Sequence, residues 1–170
     1  MIKIRRAETK DFAEIWPIIH EAFLKGDTYS FSPDTSKEEG FRIWMEQPVA
    51  TYVAIEDEQI VGTYFLKPNQ PGLGSHICNA GFVVNSNLRG KGIGKNMCEH
   101  AIKEAISLGF KGMQFNFVVA TNQVAVELWE KCGFDIVGTL YKAFKHKEKG
   151  FVDVFVMYKW FDQVTLCYQV

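Results

Sequence analysis

The sequence predicts an α/β domain with a mixed sheet, and three observations carry that prediction. Short apolar runs of period two alternate with segments whose apolar residues recur every three or four positions. A glycine-rich turn joins one of those runs to a long amphipathic segment. The 170 residues are 47% hydrophobic and 23% charged, with 14 Gly and 5 Pro. That composition fits one globular unit over residues 1–170 and excludes disordered, collagen-like and coiled-coil chains.

Ile2 to Arg6 alternates apolar and charged residues, which fits a short strand. Thr9 then caps a helix with Phe12, Ile15, Trp16, Ile19 and Phe23 on its apolar face, and Pro17 kinks it or marks its real start. Turn composition from Gly26 to Pro33 leads to a second short helix, Ser36 to Gln47, with Phe41, Trp44 and Met45 inward. Thr51 to Ile55 and Ile60 to Leu66 read as a hairpin around a charged turn. The prolines and glycines of KPNQPGLGSH mark a loop before the strand Ile77 to Asn85. After the glycine turn, Ile93 to Leu108 has the spacing of a half-buried helix. Met113, Phe115 and Phe117 alternate with Gln114 and Asn116, giving a fifth strand with one apolar and one amide-bearing face. Asn122 to Lys131 is a helix with Val124, Ala125, Leu128 and Trp129 inward. Phe134 to Leu140 and Phe151 to Phe161 are two last strands around the polar segment YKAFKHKEKG, read as a loop.

Nineteen Lys and Arg against twenty Asp and Glu give a net charge of −1, which excludes a broadly basic nucleic-acid binder. The charge is uneven: residues 1–80 carry 8 basic and 12 acidic groups and residues 81–170 carry 11 and 8, so an anion prefers the second half. Cys78, Cys98, Cys132 and Cys167 show no metal spacing and read as reduced thiols, so no metal is expected. No apolar run approaches the roughly 18 residues that span a membrane. A soluble cytoplasmic protein without membrane or nucleic-acid partners is the expectation.

The sharpest motif is Arg89-Gly90-Lys91-Gly92-Ile93-Gly94-Lys95, between a strand and a strong helix. Glycines let backbone approach a ligand closely, and the first N–H groups of a helix lack intrahelical partners, so they can hold phosphate oxygens. Arg89, Lys91 and Lys95 favour the same anion. A dinucleotide G-x-G-x-x-G fails because Lys95 and Met97 stand where glycine is needed, and a Walker A loop fails at Arg89 and Asn96.

R-G-K-G-I-G resembles the Arg/Gln-x-x-Gly-x-Gly/Ala turn of the GNAT (GCN5-related N-acetyltransferase) superfamily. The strand ending GFVVN, Asn122 after the fifth strand and the run from Ala125 to Phe134 agree with it. The resemblance implies a single α+β domain with a mixed, mostly antiparallel sheet of about seven strands flanked by helices, using acetyl-CoA as co-substrate. The stretches around Asn79 and Asn116 resemble fungal acetyltransferases of azetidine-2-carboxylate and related proline analogues, which implies a small amino or imino acid as acceptor. It further implies that the amides of Arg89, Gly90, Lys91, Gly92, Ile93, Gly94 and Lys95 hold the pyrophosphate, and that pantetheine lies beside Phe82, Val83 and Val84. An N–H near Val83 or Val84 polarises the thioester carbonyl. Asn122 orients pantetheine or acceptor.

Position 129 departs from the pattern. Many members have Tyr there to protonate the leaving thiolate; here Trp129 lines the cofactor side, and an indole N–H is no acid. A thiol of pKa about 8.5 lies roughly 1.5 units above neutral, so unassisted departure costs about 2 kcal/mol. Tyr141 is the replacement candidate. Asn79 and Asn116, if they share a face, hold the acceptor and a proton-relaying water, since Asn is disfavoured inside strands. His76 reads as a loop histidine bonded to backbone, and Cys78 as a packed thiol with no paired base. The run Lys142, Lys145, His146, Lys147 and Lys149 reads as a solvated loop, or as a frame for an acidic acceptor or the CoA 3′-phosphate. The aromatic segment Tyr29 to Phe31 with Phe41 and Trp44 closes the acceptor site over a small molecule.

The expected reaction is direct attack in a ternary complex. Two alternatives stand beside it: acetylation of a protein or peptide N-terminus through an open groove, and a non-catalytic CoA-binding sensor, for which Trp129 is the motive. Such acetyltransferases are often dimers, which makes Cys167 and the tail VTLCYQV candidates for packing in a homodimer.

Overall fold

The computed structural model describes residues 2–88 and 90–161. Its strands are β1 (Lys3–Arg6), β2 (Ala50–Glu56), β3 (Gln59–Pro68), β4 (Ile77–Val84), β5 (Gly112–Val119), β6 (Asp135–His146) and β7 (Gly150–Trp160). The helices are α1 (Phe12–Lys25), α2 (Lys37–Phe41), which continues as a π turn over Arg42–Glu46, α3 (Ile93–Ser107) and α4 (Gln123–Lys131). The sheet order is β1-β2-β3-β4-β5-β7-β6. Neighbours are antiparallel apart from β4 and β5, which run parallel and are bridged at Ile77–Gly112 and Cys78–Met113. Beyond those two rungs the pair opens, and that gap places the site.

Each sheet face carries its own core. Phe12, Ile15, Ile19 and Phe23 of α1 pack with Trp44 onto Val53, Phe65 and Val83. Met97, Ala101 and Ala105 of α3 and Trp129 of α4 cover Tyr64, Leu66, Met113 and Phe115 on the other face. Helix α3 stays close to α4 because Gly94 has no side chain: a Cβ there would meet Leu128 Cδ2 at 3.0 Å.

Several expectations are corrected by the fold. Thr9 does not cap α1; it lies in a 3-10 turn capped by Glu8, whose N–H is held by Asp11 Oδ2 at 2.7 Å. Pro17 does not mark the start of α1, which begins at Phe12; it sits inside the helix, at the cost of the N–H its turn would donate. The segment YKAFKHKEKG is not a loop: β6 runs on to His146, with a bulge between Leu140 and Phe144. As an edge strand β6 can be polar and exposed on both faces, so alternation fails to mark it. In α4, Val124 is exposed, and Val126 packs inward in its place.

Candidate active site

The opening between β4 and β5 forms a cleft of about 1120 Å³. The backbone edge of β4 that faces it has a readable polarity. Asn85 N–H donates to Val61 C=O at 2.9 Å, and the β3–β4 register runs without a shift. By strand alternation Val84 and Phe82 therefore turn their N–H groups towards the gap, and Val83 turns its own towards β3. Val84 is thus the better placed of the two thioester-polarising residues expected.

The glycine turn closes one end of this gap. Gly90 and Gly92 have φ of 85° and 75°, a region L-residues rarely adopt, and nothing lies within 4 Å of a Cβ built on either. Gly92 is the N-cap of α3, and Asn96 N–H is the first to reach an intrahelical carbonyl, Gly92 C=O at 3.0 Å. Among the described residues the N–H groups of Ile93, Gly94 and Lys95 have no hydrogen-bond partner, and they lie at the positive end of the helix. Gly90, Gly92, Ile93, Gly94 and Lys95 all line the cleft. Lys91 does not; its ammonium turns to Glu56 at 3.6 Å. Arg89 lies outside the described residues, as do Cys167 and the tail around it.

Phe82 and Trp129 form the wall on the α4 side, ring centroids 5.0 Å apart, and Phe115 packs on Trp129 at 4.7 Å. Asn122 also lines the cleft; it caps α4, its Oδ1 accepting from Ala125 N–H at 3.3 Å, which leaves its Nδ2 available.

The amides are brought together on the α1 face. Asn79 Nδ2 donates to Gln114 C=O at 2.9 Å, in place of the next β4–β5 rung. Gln114 Nε2 donates to Asn116 Oδ1 at 2.8 Å, and Asn116 Nδ2 to Asn69 Oδ1 at 2.6 Å. Asn79 and Asn116 both line the cleft, as expected of residues sharing a face.

Tyr141 is not brought there. It is 75% exposed on β6, its ring under Lys142 Nζ at 4.9 Å, outside the cleft lining, so the proton-donating role expected of it has no geometric basis. His76 donates from Nδ1 to Leu73 C=O, 3.1 Å away, which makes it the expected loop histidine. Cys78 is buried against Gly112 C=O, and burial pushes its thiol up to about 12, which suits packing rather than nucleophilic attack. Among the described residues no group of three His, Cys, Asp or Glu is placed to hold a metal, and no helix is long and apolar enough to cross a membrane.

Two features of the roof escape the sequence. Tyr29 donates from its hydroxyl to Phe82 C=O at 3.0 Å, and burial drives its phenol far above the ordinary value. This bond fastens the α1–α2 connection onto β4. Phe31 lines the cleft beside it, whereas Trp44 is fully buried and Phe41 meets Phe12 edge to face, so only half of the expected aromatic lid faces the site. The tip of the β6–β7 hairpin reaches across as well: Lys147 N–H donates to Gly26 C=O at 3.1 Å. His146 at that tip is buried and lines the cleft, and its Nδ1 accepts from the N–H groups of Glu148 and Lys149. Of the basic run, His146 and Lys149 border the cleft; Lys142 and Lys145 do not.

Comparison with known proteins agrees with this geometry. The family model described as "Acetyltransferase (GNAT) family" matches residues 12–134. N-acetyltransferase aca1 of Schizosaccharomyces pombe is 41% identical over 98 residues, 57% of this chain and 47% of that protein, so the chain spans about half of that relative's length. A GCN5-related N-acetyltransferase from Kribbella flavida superposes with a TM-score of 0.90 at 37% identity, covering 94% of this chain and 98% of its own. A phosphinothricin acetyltransferase from Sinorhizobium meliloti, solved in complex with acetyl-CoA, shares the fold at 21% identity with a TM-score of 0.81, covering 93% and 87% of the two chains. The chain belongs to the acetyltransferase (GNAT) family.

Proposed function

We propose that this protein transfers the acetyl group of acetyl-CoA to the amine of a small amino or imino acid. The observation that carries the reading is the open β4 edge ending at a glycine-capped helix whose first N–H groups have no partner among the described residues. Those N–H groups suit the pyrophosphate, and the gap suits an extended pantetheine arm running beside Phe82 to Val84. Acetyl-CoA supplies an acetyl group already activated as a thioester. A neighbour of the same fold carries it as a complex.

The chain's own part is positioning and polarisation. Val84 N–H donates to the thioester oxygen as negative charge builds there. Asn122 Nδ2 steadies the pantetheine amides, and Trp129 with Phe82 excludes water. The amine nitrogen forms the new C–N bond, the C–S bond breaks, and the amine gives up a proton through the cleft mouth, where Glu21, Asp27 and Glu148 stand. Without an acid at position 129 the leaving group departs as the thiolate, which costs about 2 kcal/mol near neutral pH, and it is then protonated from solvent.

A small acceptor is favoured by the roof. Tyr29 on Phe82 and Lys147 on Gly26 close the α1 face, leaving a cleft rather than a groove for an extended peptide. Thiol release from acetyl-CoA, followed over proline analogues, amino acids, polyamines and short peptides, tests this. Turnover is expected with free amino or imino acids. Faster turnover on peptide N-termini would overturn the acceptor class, and CoA binding without turnover on any acceptor would favour a sensor.

A further inference from the structure

The cleft is lined by four described lysines, and their partners divide them. Lys25 is tied to Glu21 at 2.7 Å and Lys95 to Glu99 at 3.7 Å. Lys67 and Lys149 have no carboxylate within ion-pair distance among the described residues. Lys149 is on the hairpin turn at the rim. Lys67 is on β3, directly opposite Asn79 in the register, on the floor of the acceptor side.

The ammonium of Lys67 has a definite place. It lies over the Phe65 ring, 5.5 Å from the centroid. That ring fills the space a Gly81 side chain would take, with a Cβ there coming within 2.6 Å of Phe65 Cε1 and 3.2 Å of Tyr29 Oη. Lys67 Nζ is therefore folded back along the strand to the level of Gly81, one residue from the Phe82 backbone that edges the gap. The neighbouring amides are already engaged, Asn79 Nδ2 with Gln114 C=O and Asn116 Nδ2 with Asn69 Oδ1. A single cation beside acceptor oxygens suits a molecule with one carboxylate and one amine.

We propose that Lys67 is the carboxylate-binding residue of the acceptor site and sets the preference for α-amino and imino acids over amines without a carboxylate. With the carboxylate on Lys67 Nζ, the amine on the adjoining carbon is turned towards Phe82 and the gap. This rests on the acetyl-transfer reading above and names the group that selects its substrate.

The test compares an acceptor pair that differs in the carboxylate alone: proline or azetidine-2-carboxylate against its carboxamide. The wild-type protein is expected to favour the acid, and Lys67→Met to lower the acid-to-amide ratio of kcat/KM by about tenfold to a hundredfold, the range for losing a hydrogen bond to a charged group. The loss is expected in KM of the acid, with acetyl-CoA affinity and melting temperature held, and Lys67→Arg is expected to restore part of it. Lys145→Met, the same charge loss outside the cleft, serves as the control. An unchanged ratio in Lys67→Met, or a fall caused by Lys149→Met instead, overturns the proposal while leaving acetyl transfer standing. Absence of turnover on every acceptor in the wild-type protein would overturn both.

Discussion

Replacing Gly92 separates the site from the fold. Gly92 is the N-cap of α3 with φ of 75°, and its missing side chain would point into open space within the cleft. Two costs follow for Gly92→Trp. An L-residue in the left-handed region loses about 1–2 kcal/mol of stability, which for a domain of this size lowers Tm by roughly 2–8 °C. The indole also covers the N–H groups of Ile93, Gly94 and Lys95. Losing two charge-assisted hydrogen bonds to pyrophosphate, at about 1.5–3 kcal/mol each, weakens CoA by at least about a hundredfold. Gly92→Ala carries the same backbone strain without the occlusion. Calorimetric titration with CoA, beside thermal melts of both variants, is the assay. Similar Tm values with CoA binding lost in the Trp variant and largely kept in the Ala variant are expected. Near-normal CoA affinity in Gly92→Trp would refute the placement of the pyrophosphate.

Tyr29→Phe removes the hydroxyl that holds the α1–α2 connection to Phe82 C=O. The acceptor KM is expected to rise about fivefold, in line with roughly 1 kcal/mol for one hydrogen bond, with CoA affinity unchanged; steady-state kinetics at saturating acetyl-CoA check it. Asp11, with its side chain 6% exposed, accepts from Arg5 at 2.6 and 2.9 Å and from Glu8 N–H, and the Arg5 hydrogen bond holds its carboxyl below the ordinary range. A depressed folded pKa stabilises above the unfolded value of about 3.9 and is lost as pH falls through the folded one. Asp11→Asn is therefore expected to cost about 2 kcal/mol at pH 7, and denaturant titrations should show the gap to wild type closing below about pH 4; a gap constant with pH would contradict the ion pair.

What is legible in the sequence follows the strength of local signals. The glycine turn and α3 stand out because three glycines at fixed spacing and a strong 3.6-residue period are each complete within one short segment. Asn79 and Asn116 can be singled out because amides inside strands need a reason to be there. Signals weaken where structure depends on distant partners. The edge position of β6 hides it, since a strand exposed on both faces need not alternate. Val124 and Val126 have the same chemistry, and the rotation of α4 against β5 decides which is buried. Tyr141 resembles a substitute acid in sequence because nothing local reveals which way an edge strand faces. Lys67 ends a hydrophobic strand and reads as its solvated terminus until the register sets it against Asn79. The bonds from Tyr29 to Phe82 and from Lys147 to Gly26 join residues 53 and 121 positions apart, a separation no periodicity can report.

The most direct test of acetyl transfer to a small imino acid is a competition in one tube. Wild-type protein and acetyl-CoA are given equal concentrations of a free imino acid and of a short peptide with that residue at its N-terminus, and the products are weighed by mass spectrometry. A gain of one acetyl group on the free imino acid, matched mole for mole by released CoA, is the expected result. Acetylation of the peptide in preference, or CoA release with no acetylated amine, would contradict it.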